Sequence, residues 1–262
     1  RGIDADVYIA HALAQGIGGP GGMGLLLDRG GNDLYRANGP VRSSYNTPAV
    51  FVGLSQGVGI GLRPLDHGGI GVLFDAAGHD RYEGGEFSQG GGYFWGMGLL
   101  RDQRGDDLYY GNRYAQGFAA HQAVGILSEG AGNDVYWSMT AAGQGAAWDQ
   151  SFALLTDFSG DDSYRAGRLS QGAAAHQSRG VLLDLKGDDR YAARSVEVQG
   201  VAGANHYHFD AALPVYSIGL LIDGAGADHY SSRAENGRSR SQHHTDGTES
   251  GEGRLGLLID EP

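Results

Sequence analysis

The sequence predicts an all-β protein, a single-domain, three-sided parallel β-helix (β-solenoid) of about eight coils of 27 residues with loop insertions. Three observations predict this fold. A GxDxY motif recurs along the chain, a Gly-aliphatic-Leu-x-Asp segment precedes it, and a Gln-Gly pair follows it. The 48 glycines also disfavour helices, because glycine in a helix interior costs about 1 kcal/mol relative to alanine.

The tyrosines of the motif set the period. They are Tyr8, Tyr35, Tyr82, Tyr109, Tyr136, Tyr164, Tyr191 and Tyr230, spaced by 27 or 28 residues except for two longer intervals of 47 and 39. A fixed period of this length is typical of solenoids, in which each repeat is one supersecondary unit. We therefore predict one parallel β-helix domain over residues 1–262, with insertions at 36–55, 62–70, 203–217 and 231–254.

The first strand of each unit carries an invariant leucine. The column comprises Leu26, Leu73, Leu100, Leu127, Leu155, Leu182, Leu221 and Leu258, and two-residue periodicity places it inside. The preceding position is also aliphatic in every unit, from Leu25 to Leu257. Either a bend turns both columns inward, which is the expectation adopted here, or an apolar stripe faces outward and is covered by a partner.

The second strand and the corner after it carry tyrosine and glutamine. Periodicity places the Asp and Tyr of GxDxY on the inward face. The glutamines that follow are Gln15, Gln56, Gln89, Gln116, Gln144, Gln171 and Gln199. We expect their stacked amides to hydrogen bond along the rod, with ligand contact as the alternative.

Composition restricts the function. A net charge of -12 and a single lysine, Lys186, argue against nucleic-acid binding, which needs clustered cations. No apolar run reaches the roughly 20 residues of a membrane span. The lack of cysteine fits an extracellular, periplasmic or cell-surface bacterial protein. We expect the chain to be a processed form or a fragment, and its uncapped coils or aliphatic stripe to contact a neighbouring domain or form a homo-oligomer.

Two columns of aspartates follow one corner of the predicted rod. They include Asp75, Asp80, Asp102, Asp107, Asp134, Asp157, Asp162, Asp184 and Asp189. The turns GAGNDVY (130–136) and GAGADHY (224–230) resemble the calcium-binding nonapeptide repeats of secreted toxins and proteases, over about seven residues per coil. That resemblance implies Ca²⁺ held between coils by these aspartates. Alternatively, each Asp caps backbone N–H groups of its own turn.

A second corner combines acid–base residues. Counting five residues beyond each Gln places His121, Asp149 and His176 in adjacent coils, and six beyond places Gln122, Gln150 and Gln177 beside them. Residues one coil apart lie within hydrogen-bond distance or can share a ligand. We therefore predict His121, Asp149 and His176 as catalytic residues, with one His acting as a general base or acid oriented by the carboxylate.

Loops and aromatic residues surround this predicted corner. Insertion 62–70 contributes Asp66 and His67, and Tyr93 adds aromatic surface. The predicted substrate-binding residues are Trp95, Trp148, Gln122, Gln150, Gln177, Arg113, Arg168, Arg179, His206 and His208. Two alternatives stay open: His and Gln fill a wide turn structurally, or His176, His206 and His208 bind a transition metal.

The predicted architecture indicates the expected function. The predicted rod resembles the parallel β-helices, a resemblance that implies an extracellular enzyme or adhesin acting on polysaccharides. We expect a secreted protein that binds an extended glycan at the His/Asp/Gln/aromatic corner and, in the catalytic alternative, cleaves it as a lyase or hydrolase. The alternative from another class is a non-catalytic, calcium-stabilised structural or adhesive surface module.

Overall fold

The computed structural model describes residues 3–43, 45–194, 197–203, 216–231, 240–245 and 253–261. These residues form β-strands, turns and bends without an α-helix, so they offer no apolar helix able to cross a membrane. The strands assemble into three sheets of parallel pairs, apart from one antiparallel edge pair. This arrangement is all-β and consistent with a three-sided parallel β-helix.

The first sheet, here called the tyrosine sheet, contains the GxDxY strands. Its strands are Val7–Ala10, Leu34–Ala37, Val52–Ser55, Arg81–Gly84, Glu86–Ser88, Leu108–Ala115, Val135–Gly143, Ser163–Arg168, Arg190–Ala193 and His229–Tyr230. The register pairs Tyr109 with Tyr136, and their rings stack with centroids 5.0 Å apart. Residues one repeat apart are therefore vertical neighbours, as the period predicts.

The second sheet, the leucine sheet, faces the tyrosine rings. Its parallel strands are Met23–Leu27, Ile70–Phe74, Met97–Arg101, Val124–Ser128, Phe152–Asp157, Arg179–Asp184, Ser217–Asp223 and Gly253–Asp260, with Arg240–Thr245 antiparallel at the edge. Leucines from Leu73 to Leu258 are at most 1% exposed and form one core cluster with the tyrosines. The predicted inward leucine column is confirmed.

The aliphatic column before the leucines differs from our expectation. In the strand Met97–Arg101, Leu100 is buried whereas Leu99 is half-buried on the other face. The expected bend is wrong, because the strands keep regular alternation through this position. An apolar stripe therefore lies on the outward face of the leucine sheet.

The third sheet is made of short strands, and we call it the short-strand sheet. It contains Gly59–Ile60, Gly92–Tyr93, Phe118–Ala120, Ala146–Trp148 and Ala174–Ala175. The Gln-Gly pair forms the corner between the tyrosine sheet and this sheet. At Gly117, where φ is +68°, an added Cβ would lie 2.1 Å from the carbonyl oxygen of Leu154, so the position requires glycine.

The glutamines of this corner do not bond mainly to one another, contrary to expectation. Gln116 Nε2 donates to the carbonyl of Tyr109 at 2.9 Å, and the other six make the same bond to their own tyrosine. Gln144 also donates to the carbonyl of Arg165 in the next coil. These glutamines have a left-handed backbone conformation, with φ of 60° at Gln116. This conformation directs each side-chain amide back toward its own strand.

Candidate functional site

The predicted acid–base residues lie at the corner between the short-strand sheet and the leucine sheet. The corner takes positive φ at two consecutive residues in each of these coils, including 62° at His121, 52° at Asp149 and 57° at His176. In a residue other than glycine, a sparsely populated backbone conformation of this kind costs about 1–3 kcal/mol. Such conformations persist where the surroundings impose them, and they cluster at binding and catalytic sites.

The carboxylate of Asp149 bridges two imidazoles. His121 Nδ1 lies 2.5 Å from Asp149 Oδ2, and His176 Nδ1 contacts Asp149 Oδ1. Arg63 Nη1 lies 3.2 Å from His121 Nε2. Because a guanidinium only donates, Nε2 accepts this bond and Nδ1 carries the proton. The structure thus brings the three residues together and leaves Nε2 as the basic atom of His121.

A cavity of about 480 Å³ opens beside this cluster. Its polar and aromatic lining comprises Tyr45, Arg63, Arg113, Tyr114, His121, Trp148, Asp149, Arg168 and His176. Tyr45 and Arg63 come from insertions 36–55 and 62–70, so both loops reach the corner. We call this cavity the corner pocket.

Arginines dominate the charge of the corner pocket. The guanidinium of Arg113 lies over the Tyr45 ring, 4.7 Å from its centroid. Within the described part of the chain, its buried Nε has no hydrogen-bond partner. Arg168 is exposed and forms an ion pair with Glu197. Cations therefore converge here in a chain whose net charge is -12, which favours an anionic ligand.

Aromatic rings surround His121. The ring of Tyr93 meets His121 edge-on at a centroid distance of 5.1 Å, and burial raises the pKa of Tyr93. Trp148 is nearly buried and lines the corner pocket. Trp95 is 52% exposed, lies against the ring of His67 and is outside the pocket lining. Of the two predicted tryptophans, only Trp148 is therefore at the pocket.

The other predicted binding residues are placed differently. Gln122 Nε2 donates to Gln150 Oε1 at 2.8 Å, and Gln150 Nε2 donates to Gln177 Oε1 at 3.3 Å, an amide ladder along the rod. Gln122 and Gln150 line a smaller cavity of about 170 Å³ that shares Arg63, His121 and Asp149 with the corner pocket.

Arg179 lies away from the corner pocket. It is the first residue of its strand and faces outward from the leucine sheet, in register with Phe152 and Ile218. Strand alternation therefore directs it away from the predicted role. His206 and His208, and with them the transition-metal alternative, lie outside the described residues.

Sequence reasoning missed Tyr45, Arg63 and Tyr114. Tyr114 precedes the corner glutamine by two residues, and its left-handed φ of 52° is shared by Phe87 and Leu169 at the equivalent position. Only Phe87 and Tyr114 are aromatic in this column, which otherwise holds Leu13, Leu54, Ala142, Leu169 and Glu197, so the position carries no aromatic signal in the sequence. Arg63 and Tyr45 gave no signal either, because the conformation of an insertion cannot be deduced from the repeat.

The predicted metal ligands form a separate buried site, here called the carboxyl corner. Each of the nine aspartates is at most 2% exposed. In one column, Asp157 accepts the hydroxyl of Tyr136 at 2.6 Å and the backbone N–H of Ser159 at 3.1 Å. In the other, Asp134 Oδ1 accepts the backbone N–H of Asp107, one coil earlier, at 2.6 Å. Backbone capping is therefore present in both columns, within the turn or across coils.

Capping leaves the second oxygen of each second-column carboxyl without a donor. The Oδ2 atoms of Asp80, Asp107, Asp134, Asp162 and Asp189 are buried and accept no hydrogen bond from the described residues. The carboxyls of Asp80, Asp162 and Asp189 instead pair with those of Asp102, Asp157 and Asp184. Burial, reinforced by neighbouring carboxylates, raises the pKa of Asp107 and of Asp134 to about 10.

The spacing of these oxygens suits a hard cation. Triplets such as Asp134, Asp157 and Asp162 place one carboxylate oxygen each within 4.8 Å of the others. Ca²⁺ takes six to eight oxygen ligands at about 2.3–2.6 Å, and each triplet offers three carboxylate oxygens toward such a set. The donor set contains oxygen alone, which disfavours softer metals.

Comparisons with protein-family models, curated proteins and solved structures found no match. Fold by itself does not determine function. The geometry of the corner pocket and of the carboxyl corner therefore carries the functional argument.

Proposed function

We propose that the protein is a secreted bacterial β-helix of about eight coils in one domain, and that its corner pocket binds and cleaves an extended anionic polysaccharide. The observation that supports this most directly is Asp149 bridging His121 and His176 beside Arg113. A base with a fixed tautomer, a positioned carboxylate and an arginine form an acid–base site for a negatively charged substrate.

The arginines favour an acidic sugar over a neutral one. Arg113 Nε is a buried donor with no acceptor in the described chain, and leaving it unpaired is costly. A uronate carboxylate would accept from this guanidinium in the bidentate geometry that arginine provides. The acidic remainder of the chain repels polyanions elsewhere, so binding is directed to this pocket.

A second cavity supports an extended ligand. It measures about 310 Å³ and is lined by Trp137, Met139, Arg165 and Arg194 on the outward face of the tyrosine sheet. The guanidinium of Arg165 lies 6.0 Å from the Trp137 ring centroid. The register pairs Trp137 with Arg165, and three residues later Arg168 lines the corner pocket. The two cavities are thus about 10 Å apart along one strand, and a polymer can occupy both.

Elimination fits the pocket better than hydrolysis. Glycosidases generally use a pair of carboxyl groups, whereas the described pocket lining contains one, Asp149, which is occupied by two imidazoles. In a lyase reaction, Arg63 leaves His121 Nε2 to bind the entering substrate carboxylate, and the freed Nε2 removes the proton next to that carboxylate while Arg113 stabilises the developing charge. The carbon–oxygen bond to the leaving sugar then breaks, a carbon–carbon double bond forms, and the Tyr45 hydroxyl protonates the leaving oxygen.

The test measures binding and cleavage separately. We expect calorimetry to show binding of a polyuronate and not of a neutral glucan, and Arg113→Ala to weaken it at least tenfold. His121→Ala should retain binding and lose about 100-fold or more of the ultraviolet absorbance increase from the double bond. Arg179→Ala, which alters an arginine on the outward leucine sheet, is the matched control. Equal binding of neutral glucan, or equal losses in Arg179→Ala, would contradict the proposal.

The carboxyl corner supports a second candidate function, a calcium-stabilised rod. The favouring observation is the set of buried Oδ2 atoms that accept no hydrogen bond from the described residues and lie in triplets of neighbouring carboxylate oxygens. Ligand linkage predicts that Ca²⁺ at 100 times its Kd stabilises the folded chain by about 2.7 kcal/mol per site. Chelation should then lower the melting temperature by several degrees, and metal analysis should find Ca²⁺ retained. Unfolding that is indifferent to chelator and to added Ca²⁺ would exclude this role.

A further inference from the structure

The outward face of the leucine sheet is an apolar surface. Its central column is Val72, Leu99, Ile126, Leu154, Val181 and Leu220, all half-buried. The flanking outward columns contain two charged residues, Arg101 and Arg179, and no acidic one. Monomeric soluble proteins rarely expose contiguous apolar patches of more than a few hundred Å², and parallel sheets usually have both faces covered.

The face is nearly flat. Successive stacked tyrosines of the coils differ in ring plane by only 1–5°, so each coil rotates little relative to the next. Ordinary sheets twist by roughly 20–25° per strand. A flat face is complementary to another flat face, including its own copy.

The area is sufficient for a specific interface. Eight parallel strands at about 4.8 Å spacing make the face about 34 Å tall. Outward side chains at alternate residues make it about 17 Å wide, or roughly 600 Å² per copy. Two copies would bury about 1,200 Å², which lies at the lower end of standard-size protein interfaces.

Charge distinguishes self-association through this face from association elsewhere. The formal net charge of one copy is -12, and the copy stays acidic through its exposed carboxylates even where buried carboxyls keep their protons, so two copies repel at most orientations. The leucine-sheet face lacks carboxylates on its outward columns, and it is where two copies approach with the least repulsion and the greatest apolar burial. A two-fold axis near Ile126 and Leu154, in register at the centre, would bring each column against its counterpart.

We propose that two copies of this chain pack through the outward faces of their leucine sheets to form a symmetric dimer. The two sheets lie about 10 Å apart, as in face-to-face sheet packing. No residue of the leucine-sheet strands lines the corner pocket, so packing through this sheet does not cover the pocket lining. The proposal is independent of the ligand of the pocket.

Light scattering coupled to gel filtration tests the dimer. We expect the unaltered protein at about 50 μM to have twice the 27.5 kDa mass of one chain. The double variant Ile126→Lys with Leu154→Lys should run as the monomer, its dissociation constant raised at least 100-fold. The matched control is Leu108→Lys with Val135→Lys, which alters a half-buried aliphatic pair in the same register relation on the outward tyrosine sheet. This control should stay dimeric.

Thiol cross-linking keeps the test decisive if the lysine variant folds poorly. The chain has no cysteine, so Ile126→Cys introduces a single thiol near the proposed axis. Sheets about 10 Å apart hold the two thiols too far apart for a direct disulfide, so a short bifunctional maleimide should link this variant into a covalent dimer and leave Leu108→Cys unlinked. A monomeric unaltered protein, a dimer that survives the lysine pair at Ile126 and Leu154, or equal cross-linking of both cysteine variants would overturn the proposal.

Discussion

Replacing Asp134 by asparagine should stabilise the metal-free protein at neutral pH. Asp134 Oδ1 accepts the backbone N–H of Asp107 at 2.6 Å, whereas its buried Oδ2 has no partner in the described chain. Burial, with the charges of Glu129 and Asp157, raises the pKa of Asp134 to about 10 from 3.8. Asparagine retains the acceptor, needs no proton and can donate from its amide to a neighbouring carboxylate.

Proton linkage gives the magnitude. Between pH 4 and pH 10 the folded chain keeps a proton on Asp134 that the unfolded chain releases, so the stability that this group contributes at acidic pH falls as pH rises. Each pH unit above the pKa of the unfolded-state aspartate lowers the free energy of unfolding by about 1.4 kcal/mol. At pH 7 the loss amounts to about 4 kcal/mol. Asp134→Asn should therefore raise the free energy of unfolding of the metal-free chain by up to about 4 kcal/mol at pH 7 and by almost nothing near pH 4.

Urea denaturation of chelator-treated protein at pH 4.5, 7 and 9 measures this change. Asp106→Asn is the control, because that carboxylate is exposed and its replacement should shift stability by at most about 0.5 kcal/mol at every pH. On the proposal that the carboxyl corner binds Ca²⁺, the sign should reverse with Ca²⁺ in excess, since asparagine would then remove a charged ligand. A destabilisation of equal size at pH 4.5 and pH 9 without metal would show that Asp134 is ionised in the folded chain and refute the reasoning.

Three further substitutions test other contacts. Tyr136→Phe leaves buried Asp157 without its O–H donor and should lower the free energy of unfolding by about 1–3 kcal/mol in urea titrations. Gln144→Met removes the donor to the carbonyls of Tyr136 and of the next coil, with a loss of similar size. Gly132→Ala would place a Cβ 1.4 Å from the carbonyl oxygen of Gly105. It should cost more than about 4 kcal/mol and abolish the cooperative thermal transition seen by circular dichroism.

Each of these changes has a matched control at a less constrained position. Tyr110→Phe alters an outward tyrosine whose hydroxyl contacts Met139, Gln103→Met alters an exposed glutamine, and Gly19→Ala places a Cβ in open space. All three should change stability by less than about 0.5 kcal/mol. Losses equal to those of the core variants would contradict the assigned contacts.

The repeat made the sheets and their core predictable from sequence. A two-residue period within strands and a 27-residue period between coils were enough to place Leu100 inside and Tyr109 over Tyr136. The same counting brought His121, Asp149 and His176 together. Such residues repeat because each occupies an equivalent backbone environment.

The repeat did not predict which partner a side chain contacts when several lie within reach. The corner glutamines bond to strand carbonyls and not to each other, because a left-handed backbone sets their direction. Arg63 and Tyr45 reach the pocket from insertions, whose paths no periodicity describes. The outward aliphatic column was misassigned because an apolar residue on a strand does not by itself reveal which face has a covering partner.

The near-identity of the coils has a consequence for how the chain finds its fold. A strand that docked one whole coil out of place would still set leucine beside leucine and tyrosine beside tyrosine, so the uniform columns barely penalise such a slip. The irregular insertions distinguish the native register from the shifted ones. Arg63 contacts His121, and Tyr45 contacts Arg113 and Tyr114, only when every coil is in its native register. The loops that line the pocket therefore also specify the register of the coils during folding. Shortening them should increase the population of misregistered species before it reduces the stability of the native fold.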